Sequence, residues 1–179
     1  MIPVFIIILS VTLDQISKYI VSTNMEIGDS FGFIKHIINI TYITNTGAAF
    51  GVLKDHRWVF IISSAIAILM MMAILGYFIR KKEHFWLQIA LALMVSGGLG
   101  NMIDRVLYGK VIDFLEFDFV NFAIFNVADS CVTVGCAICI IYIFIKRNYL
   151  FKDDKKNAKK DDEGAEDMEN REINAGDEI

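Results

Sequence analysis

The chain has 179 residues, of which 55% are hydrophobic, and its mean hydropathy is +0.51. Ordinary soluble domains contain about 45–50% apolar residues, so this composition excludes an ordinary soluble domain and indicates membrane spans. A large share of the charged residues lies between Lys146 and Ile179, so the formal net charge of −4 does not describe the apolar part of the chain.

Four segments are long and apolar enough to cross a membrane, because a span needs about 20 mostly apolar residues. The first segment lacks the basic start and the small-residue cleavage site of a signal peptide, so it is predicted to be a retained span. The sequence therefore predicts an all-α membrane protein with four transmembrane helices. The spans run roughly from Ile2 to Val21, from Trp58 to Ile79, from Phe85 to Ile103 and from Phe125 to Ile145.

The positions of the basic residues predict how these spans are oriented. Lys and Arg in short loops mark the cytoplasmic side of a membrane protein. Arg80 to Lys82 form the turn between the second and third spans, and Lys146 and Arg147 follow the fourth span. Both termini are therefore predicted to be cytoplasmic, with Ser22 to Arg57 and Asp104 to Ile124 on the extracytoplasmic side.

Two stretches of these outer loops are predicted to be extended. Ile37 to Thr44 is rich in β-branched residues and is followed by the turn Asn45-Thr46-Gly47. Polar and apolar residues roughly alternate between Lys110 and Phe119, which predicts a second extended piece beside the membrane.

The end of the chain differs in composition from the rest. From Lys152 onward it mixes lysines with acidic residues and has almost no large apolar side chains, so it cannot bury a core. We therefore expect residues 1–149 to form the membrane domain and residues 150–179 to form a disordered, charged cytoplasmic tail.

Polar side chains inside the spans lie at one predicted depth, close to the extracytoplasmic surface. Charged residues are unfavourable in a span, which makes them functional candidates. Helical spacing of three or four residues places the members of each pair on one helix face. The pairs are Asp14 with Lys18, Asn101 with Asp104, and Asn126 with Asp129.

The sequence leaves two explanations open for most of these residues. Asp14 and Lys18 form either a self-neutralising ion pair or part of a reactive site. Asn101, Asp104 and Arg105 form either a hydrogen-bond network between helices or part of the same reactive site.

Asp113 and Asp129 differ from these residues because neither has an obvious cationic neighbour in the sequence. Two carboxylates that meet at an apolar boundary cannot both ionise easily, so the pair shares a proton. Such a pair supplies a general base for an attacking water and a general acid for the carbonyl under attack.

Other functions have less support in the sequence. It contains no G-x-S-x-G elbow, no H-E-x-x-H helix and no P-loop, and its histidines are scattered. No basic groove with interleaved aromatic residues indicates nucleic-acid binding. A small ion- or proton-coupled transporter and a membrane scaffold stay as alternatives, because intramembrane carboxylates also occur in proton relays and in helix packing.

Five blocks of the sequence, in the same order, resemble the lipoprotein signal peptidases of bacteria. The blocks are Asp14-Gln15-Ile16-Ser17-Lys18, Asn45-Thr46-Gly47-Ala48-Ala49-Phe50, Gly100-Asn101-Met102-Ile103-Asp104-Arg105, Val111-Ile112-Asp113-Phe114 and Phe125-Asn126-Val127-Ala128-Asp129-Ser130.

This resemblance implies a site and an activity. It implies that Asp113 and Asp129 are the catalytic residues of an aspartic endopeptidase. The implied supporting or substrate-contacting residues are Asp14, Lys18, Asn45, Asn101, Asp104, Arg105 and Asn126. The implied reaction removes the signal peptide of a prolipoprotein just before a diacylglyceryl-modified cysteine.

The resemblance also implies a location and a fold. The expected location is the bacterial cytoplasmic (inner) membrane, among lipids, with the active site on the extracytoplasmic side. The expected fold is a four-helix bundle with a small extracytoplasmic β-cradle and a short outer helix. No metal or other cofactor is expected, and globomycin-type cyclic peptides are expected to inhibit the enzyme.

Overall fold

The computed structural model of the protein describes residues 1–47, 57–82 and 84–146. Its four long helices are α1 (Ile2–Asn24), α2 (Arg57–Lys81), α3 (Phe85–Tyr108) and α4 (Val127–Lys146). Each of them is long and apolar enough to cross a membrane, which confirms the four predicted spans. The described ranges contain no further helix that would correspond to the short outer helix of the expected fold.

Contacts divide the chain into two units, Met1–Cys139 and Ile140–Ile179. The first unit contains α1, α2, α3 and most of α4. Of the second unit, residues 140–146 are helical. The predicted tail and its boundary at residue 149 lie outside the described residues, as do the last three residues of the second sequence block, Ala48 to Phe50.

The helices differ in how much of their surface the protein itself covers. In α2 the most apolar window has a mean hydropathy of 2.6, yet only 11% of it is buried in the protein. The corresponding values for α3 are 1.4 and 44%. Since α3 packs against both α1 and α2, it is the central helix of the bundle, whereas the protein leaves most of the apolar surface of α2 uncovered.

Glycines on α3 allow close approach to its neighbours. A Cβ added at Gly97 would overlap the carbonyl oxygen of Ala128 on α4, and one at Gly100 would lie 2.5 Å from Asp14 Oδ2 on α1. Small residues at helix contacts of this kind let polar side chains of neighbouring helices meet.

Outside the helices, three strands form an antiparallel sheet in the order β1-β2-β3. The strands are β1 (Ser30–Ile34), β2 (Ile38–Asn45) and β3 (Val111–Phe117). The structure thus confirms the two extended pieces and the small β-cradle. Strand β1 was not predicted from the sequence, because all five of its residues are exposed and it lacks a buried face that would impose alternation.

A small apolar cluster fastens this sheet to the bundle. Val21 of α1 packs with Tyr42 of β2 and with Ile112 and Phe114 of β3. Burying an apolar side chain of this size stabilises the fold by about 1.5–3 kcal/mol. Because Ile112 and Phe114 flank Asp113, the cluster also fixes the position of that carboxylate.

The close contact at Gly97 predicts a specific loss of stability. Gly97→Ala should lower the free energy of unfolding by about 1–3 kcal/mol, because the methyl group forces α3 and α4 apart. The matched control is Gly76→Ala on α2, where a Cβ meets nothing within 4 Å and alanine favours the helix. Thermal unfolding in detergent measures both variants, and equal Tm values would contradict the predicted packing.

Candidate active site

Asp113 lies on β3 and is buried, with 3% of its surface exposed. Its Oδ1 accepts a hydrogen bond of 2.7 Å from Asn126 Nδ2, and its Oδ2 accepts one of 3.2 Å from Asn45 Nδ2. The Asn45 amide faces the carboxylate with its nitrogen because its own Oδ1 accepts the backbone N–H of Gly47. The predicted turn after β2 therefore orients a hydrogen-bond donor toward Asp113.

Asp129 is the third residue of α4, and Asn126 immediately precedes that helix. Asn126 Oδ1 accepts the backbone N–H of Asp129 at 3.0 Å, and Asp129 Oδ2 accepts the backbone N–H of Asn126 at 3.1 Å. This reciprocal arrangement is a capping box. The three-residue spacing thus reflects a helix cap and not, as expected, two side chains on one helix face.

Asn126 joins the two aspartates. Its Oδ1 binds the backbone of Asp129, while its Nδ2 donates to Asp113 and, at 3.3 Å, to the carbonyl of Ile112. With 0% of its surface exposed, Asn126 has no access to water that would replace these bonds. A single buried amide thereby brings Asp113 and Asp129 into one site.

The surroundings of Asp113 change its proton affinity. Burial, followed by the negative charge of Asp129, raises the pKa of Asp113 to about 6. Hydrogen bonds from Asn126 and Asn45 and the charge of Lys18 act in the opposite direction without cancelling the effect. Asp113 therefore retains its proton to a higher pH than an exposed aspartate does.

Lys18 lies behind the aspartates and is also buried, with 2% of its surface exposed. Its Nζ is 2.9 Å from Asp14 Oδ2 and 3.0 Å from Asp104 Oδ2. The Asp14–Lys18 contact expected from the sequence is therefore an ion pair, and Asp104 of α3 joins it. A buried charge is tolerated when it is paired and hydrogen-bonded in this way.

Asn101 links this charged cluster to the aspartates. Its Oδ1 accepts hydrogen bonds from Lys18 Nζ at 2.9 Å and from Asn126 Nδ2 at 3.0 Å. Its Nδ2 donates to Asp129 Oδ1 at 2.8 Å. The hydrogen-bond network between helices that the sequence left open as an explanation is thus present, and it ends on Asp129.

Arg105 is placed differently from Asn101 and Asp104. Its guanidinium donates to the carbonyls of Gly47 at 3.3 Å and of Asn101 at 3.4 Å, and it lies 5.0 Å from the centre of the Phe60 ring. It also interacts electrostatically with the site carboxylates, and the strongest of these interactions is with Asp113. Arg105 thus connects α3 with α2 and with the turn after β2.

Gln15 belongs to the site, although the spacing of the polar pairs in the sequence does not predict it. Its Nε2 lies 3.0 Å from Asp104 Oδ1 and 3.2 Å from both the Gly100 carbonyl and Asp14 Oδ2. Because Gln15 is directly adjacent to Asp14, it falls outside the spacing of three or four residues that identifies the other polar pairs. The sequence signal for Gln15 is its position beside Asp14 within the first sequence block.

Comparison with known proteins relates the chain to membrane peptidases. The family model described as signal peptidase (SPase) II matches residues 6–145. A lipoprotein signal peptidase of Streptococcus pyogenes serotype M5 (strain Manfredo) is 41% identical over 145 residues, which cover 80% of this chain and 93% of that protein. The lipoprotein signal peptidase of serotype M18 (strain MGAS8232) gives the same values.

Two solved structures of bacterial membrane enzymes, both obtained by the in meso method, have a similar fold. The one at 2.3 Å resolution has a TM-score of 0.74 and 40% sequence identity, and the match covers 81% of this chain and 88% of that one. The one at 1.9 Å has a TM-score of 0.70 and 41% identity, with 79% and 91% covered.

The raised pKa of Asp113 predicts how stability depends on pH. A carboxyl whose pKa is higher in the folded protein stabilises the fold fully below about pH 4, and this contribution is lost as the pH rises through about 6. The wild type therefore loses stability as the pH rises from about 5 to about 7, whereas Asp113→Asn does not lose this contribution. Over that range the free energy of unfolding of Asp113→Asn should rise by on the order of 1 kcal/mol relative to that of the wild type. Thermal unfolding in detergent at both pH values measures the difference, and a pH-independent difference would contradict the raised pKa.

Proposed function

Because this chain belongs to the signal peptidase II family and is an integral membrane protease acting on lipoproteins, we propose that Asp113 and Asp129 are its catalytic pair. The proposed reaction cleaves the signal peptide from a diacylglyceryl-modified prolipoprotein, just before the lipidated cysteine. The observation that carries this proposal is the bridge that Asn126 forms between the buried Asp113 and the half-buried Asp129.

The two aspartates have different proposed roles. Asp129 lies in the first turn of α4, where the helix dipole and N–H donors from Asn126 and Asn101 stabilise a negative charge. Asp113 lies on β3 instead of at a helix N-terminus, and its pKa is raised to about 6. We therefore assign the ionised form to Asp129 and the shared proton to Asp113 in the resting enzyme.

The chemistry follows from that difference. Asp129 accepts a proton from water as the water oxygen attacks the scissile carbonyl carbon, and Asp113 donates its proton to the carbonyl oxygen. When the resulting diol collapses, Asp113 takes back a proton from it and Asp129 protonates the departing amine nitrogen. The peptide C–N bond breaks, and both aspartates return to their starting states.

The remaining polar residues are proposed to support this pair or to contact substrate. Asn45, Asn101 and Asn126 donate to the two carboxylates directly. Asp14, Lys18 and Asp104 form the charged cluster behind them. Arg105, which binds the turn after β2, is proposed to contact the substrate peptide.

The position of the site suits a lipid-anchored substrate. Such a substrate arrives laterally in the membrane, so a site at the ends of the helices takes the peptide from the aqueous side and the acyl chains from lipid. We propose the bacterial cytoplasmic (inner) membrane, with both termini cytoplasmic and the sheet outside. Catalysis without a metal cofactor, inhibition by globomycin-type cyclic peptides, and a dispensable tail at residues 150–179 belong to the same proposal.

Replacing either aspartate tests the pair. Asp113→Asn and Asp129→Asn keep the size of the side chain but remove its proton exchange, so each should lose at least about 1,000-fold in cleavage rate. Because the pair acts as one unit, the double variant should be scarcely slower than the slower single variant. The wild-type rate should depend on pH in a bell shape with two macroscopic pKa values that belong to the pair.

Cleavage of a purified diacylglyceryl-modified precursor measures these rates, alongside thermal unfolding to establish that each variant is folded. A folded Asp113→Asn or Asp129→Asn protein that cleaves at the wild-type rate would falsify the assignment. In that case the polar network would serve only as a scaffold for the bundle.

The proposed orientation is tested by labelling in intact cells. In a background where the three native cysteines are replaced, Asn24→Cys should react with a membrane-impermeant thiol reagent, whereas Lys82→Cys should not. Both positions are exposed in the structure, so burial does not account for a difference. The reverse pattern would put the aspartates at the cytoplasmic face and rule out the proposed substrate.

A further inference from the structure

We propose that Lys18 is a positioning residue that fixes the separation of Asp113 and Asp129, an inference that rests on the proposed catalytic pair. Lys18 touches neither carboxylate. It acts through three partners, each of which reaches one of the two aspartates or the backbone directly before it.

The ammonium of Lys18 has three N–H donors, and each has its own acceptor. Nζ lies 2.9 Å from Asp14 Oδ2, 3.0 Å from Asp104 Oδ2 and 2.9 Å from Asn101 Oδ1. A lysine has no further donor and the group is buried, so its position is fully determined. Two of these acceptors belong to α3 and one to α1.

Asp104 transmits this position to Asp113. The oxygen that binds Lys18, Asp104 Oδ2, also accepts the backbone N–H of Ile112 at 3.2 Å. Ile112 directly precedes Asp113 on β3. A shift of the Asp104 carboxylate therefore moves the start of the strand that carries Asp113.

Asp14 transmits the same position to Asp129. Its Oδ2 binds Lys18, and its Oδ1 accepts the backbone N–H of Ala128 at 2.9 Å. Ala128 directly precedes Asp129 on α4. The close approach of Gly100 to Asp14 Oδ2 leaves that carboxylate little room to move.

Asn101 supplies the third connection, which reaches a side chain. Because Lys18 holds Asn101 Oδ1, the amide nitrogen points away and donates to Asp129 Oδ1 at 2.8 Å. The Lys18 ammonium thus fixes the positions of both aspartates. It acts on Asp113 through the backbone amide of the preceding residue, and on Asp129 through the preceding backbone amide and the Asn101 side chain.

The charge balance explains why a lysine is used. Asp14 and Asp104 are both buried and would repel each other without a cation between them. Attraction to Lys18 instead draws the backbone amides before Asp113 and Asp129 toward one point. A displacement of about 1 Å in a catalytic group lowers a rate by about 100-fold, so this separation matters for catalysis.

The test removes the charges of the cluster but keeps the acceptors for both amides. Lys18→Met combined with Asp14→Asn and Asp104→Asn leaves a carbonyl oxygen for each backbone N–H and no unpaired buried charge. We expect kcat to fall by about 100-fold with KM changed less than about threefold. The two macroscopic pKa values of the pH profile should move closer together, because the pair repels less when it separates.

Two controls separate positioning from folding. Leu75→Ala removes a buried side chain on α2, in a different apolar cluster, so it should lower Tm while leaving kcat and the pH profile unchanged. Asp104→Asn alone keeps the Lys18–Asp14 pair and an acceptor for Ile112, and a measurement of its Tm establishes that it is folded. It should lose about tenfold in kcat with a smaller change of the pH profile.

Within the described residues, Arg105 is a second cation that acts on the aspartates, and every variant retains it. Wild-type kcat and an unchanged pH profile in the triple variant, or in Asp104→Asn, would overturn the positioning role. Asp113→Asn, measured in parallel, distinguishes a failure of the positioning role from a failure of the proposed catalytic pair. If Asp113→Asn also cleaves at the wild-type rate, the catalytic pair itself is wrong.

Discussion

The burial of one lysine ammonium is the constraint on which the rest of the site depends. In an apolar environment a charge must be paired and every donor must find an acceptor. Lys18 meets this requirement by binding Asp14, Asp104 and Asn101. These residues in turn bind the strand before Asp113 and the helix that begins at Asp129, so one electrostatic requirement assembles α1, α3, β3 and α4.

This assembly is what makes two neighbouring carboxylates tolerable. Asp113 is buried and Asp129 is half-buried, and their negative charges repel each other, so by themselves they would separate or protonate. The apolar cluster beneath the sheet and the buried Asn126 amide oppose that separation. The fold therefore keeps two repelling carboxylates close together, which lowers its stability. Such a trade-off between stability and activity is common at reactive sites.

Much of this architecture follows from the sequence. Hydropathy predicted the four helices, the β-branched stretch before Asn45 predicted β2, and polar residues within apolar spans identified the residues that meet. The contacts between distant elements were beyond such reasoning. The pairing of Asn45 with Asp113 leaves no periodic signal. The three-residue spacing of Asn126 and Asp129 fits a helix cap as well as a shared helix face, and Gln15, one residue from Asp14, lies outside the spacing rule. The catalytic roles of the aspartates stay a prediction.

The central claim is that Asp113 and Asp129 form one proton-sharing site, and infrared titration tests it most directly. The C=O stretch of the protonated Asp113 carboxyl, identified by its absence in Asp113→Asn, should titrate near pH 6 in the wild type. In Asp129→Asn its midpoint should move to lower pH, because the neighbouring negative charge is gone. An identical midpoint in both proteins would mean that the two carboxylates titrate independently, and it would contradict the shared site.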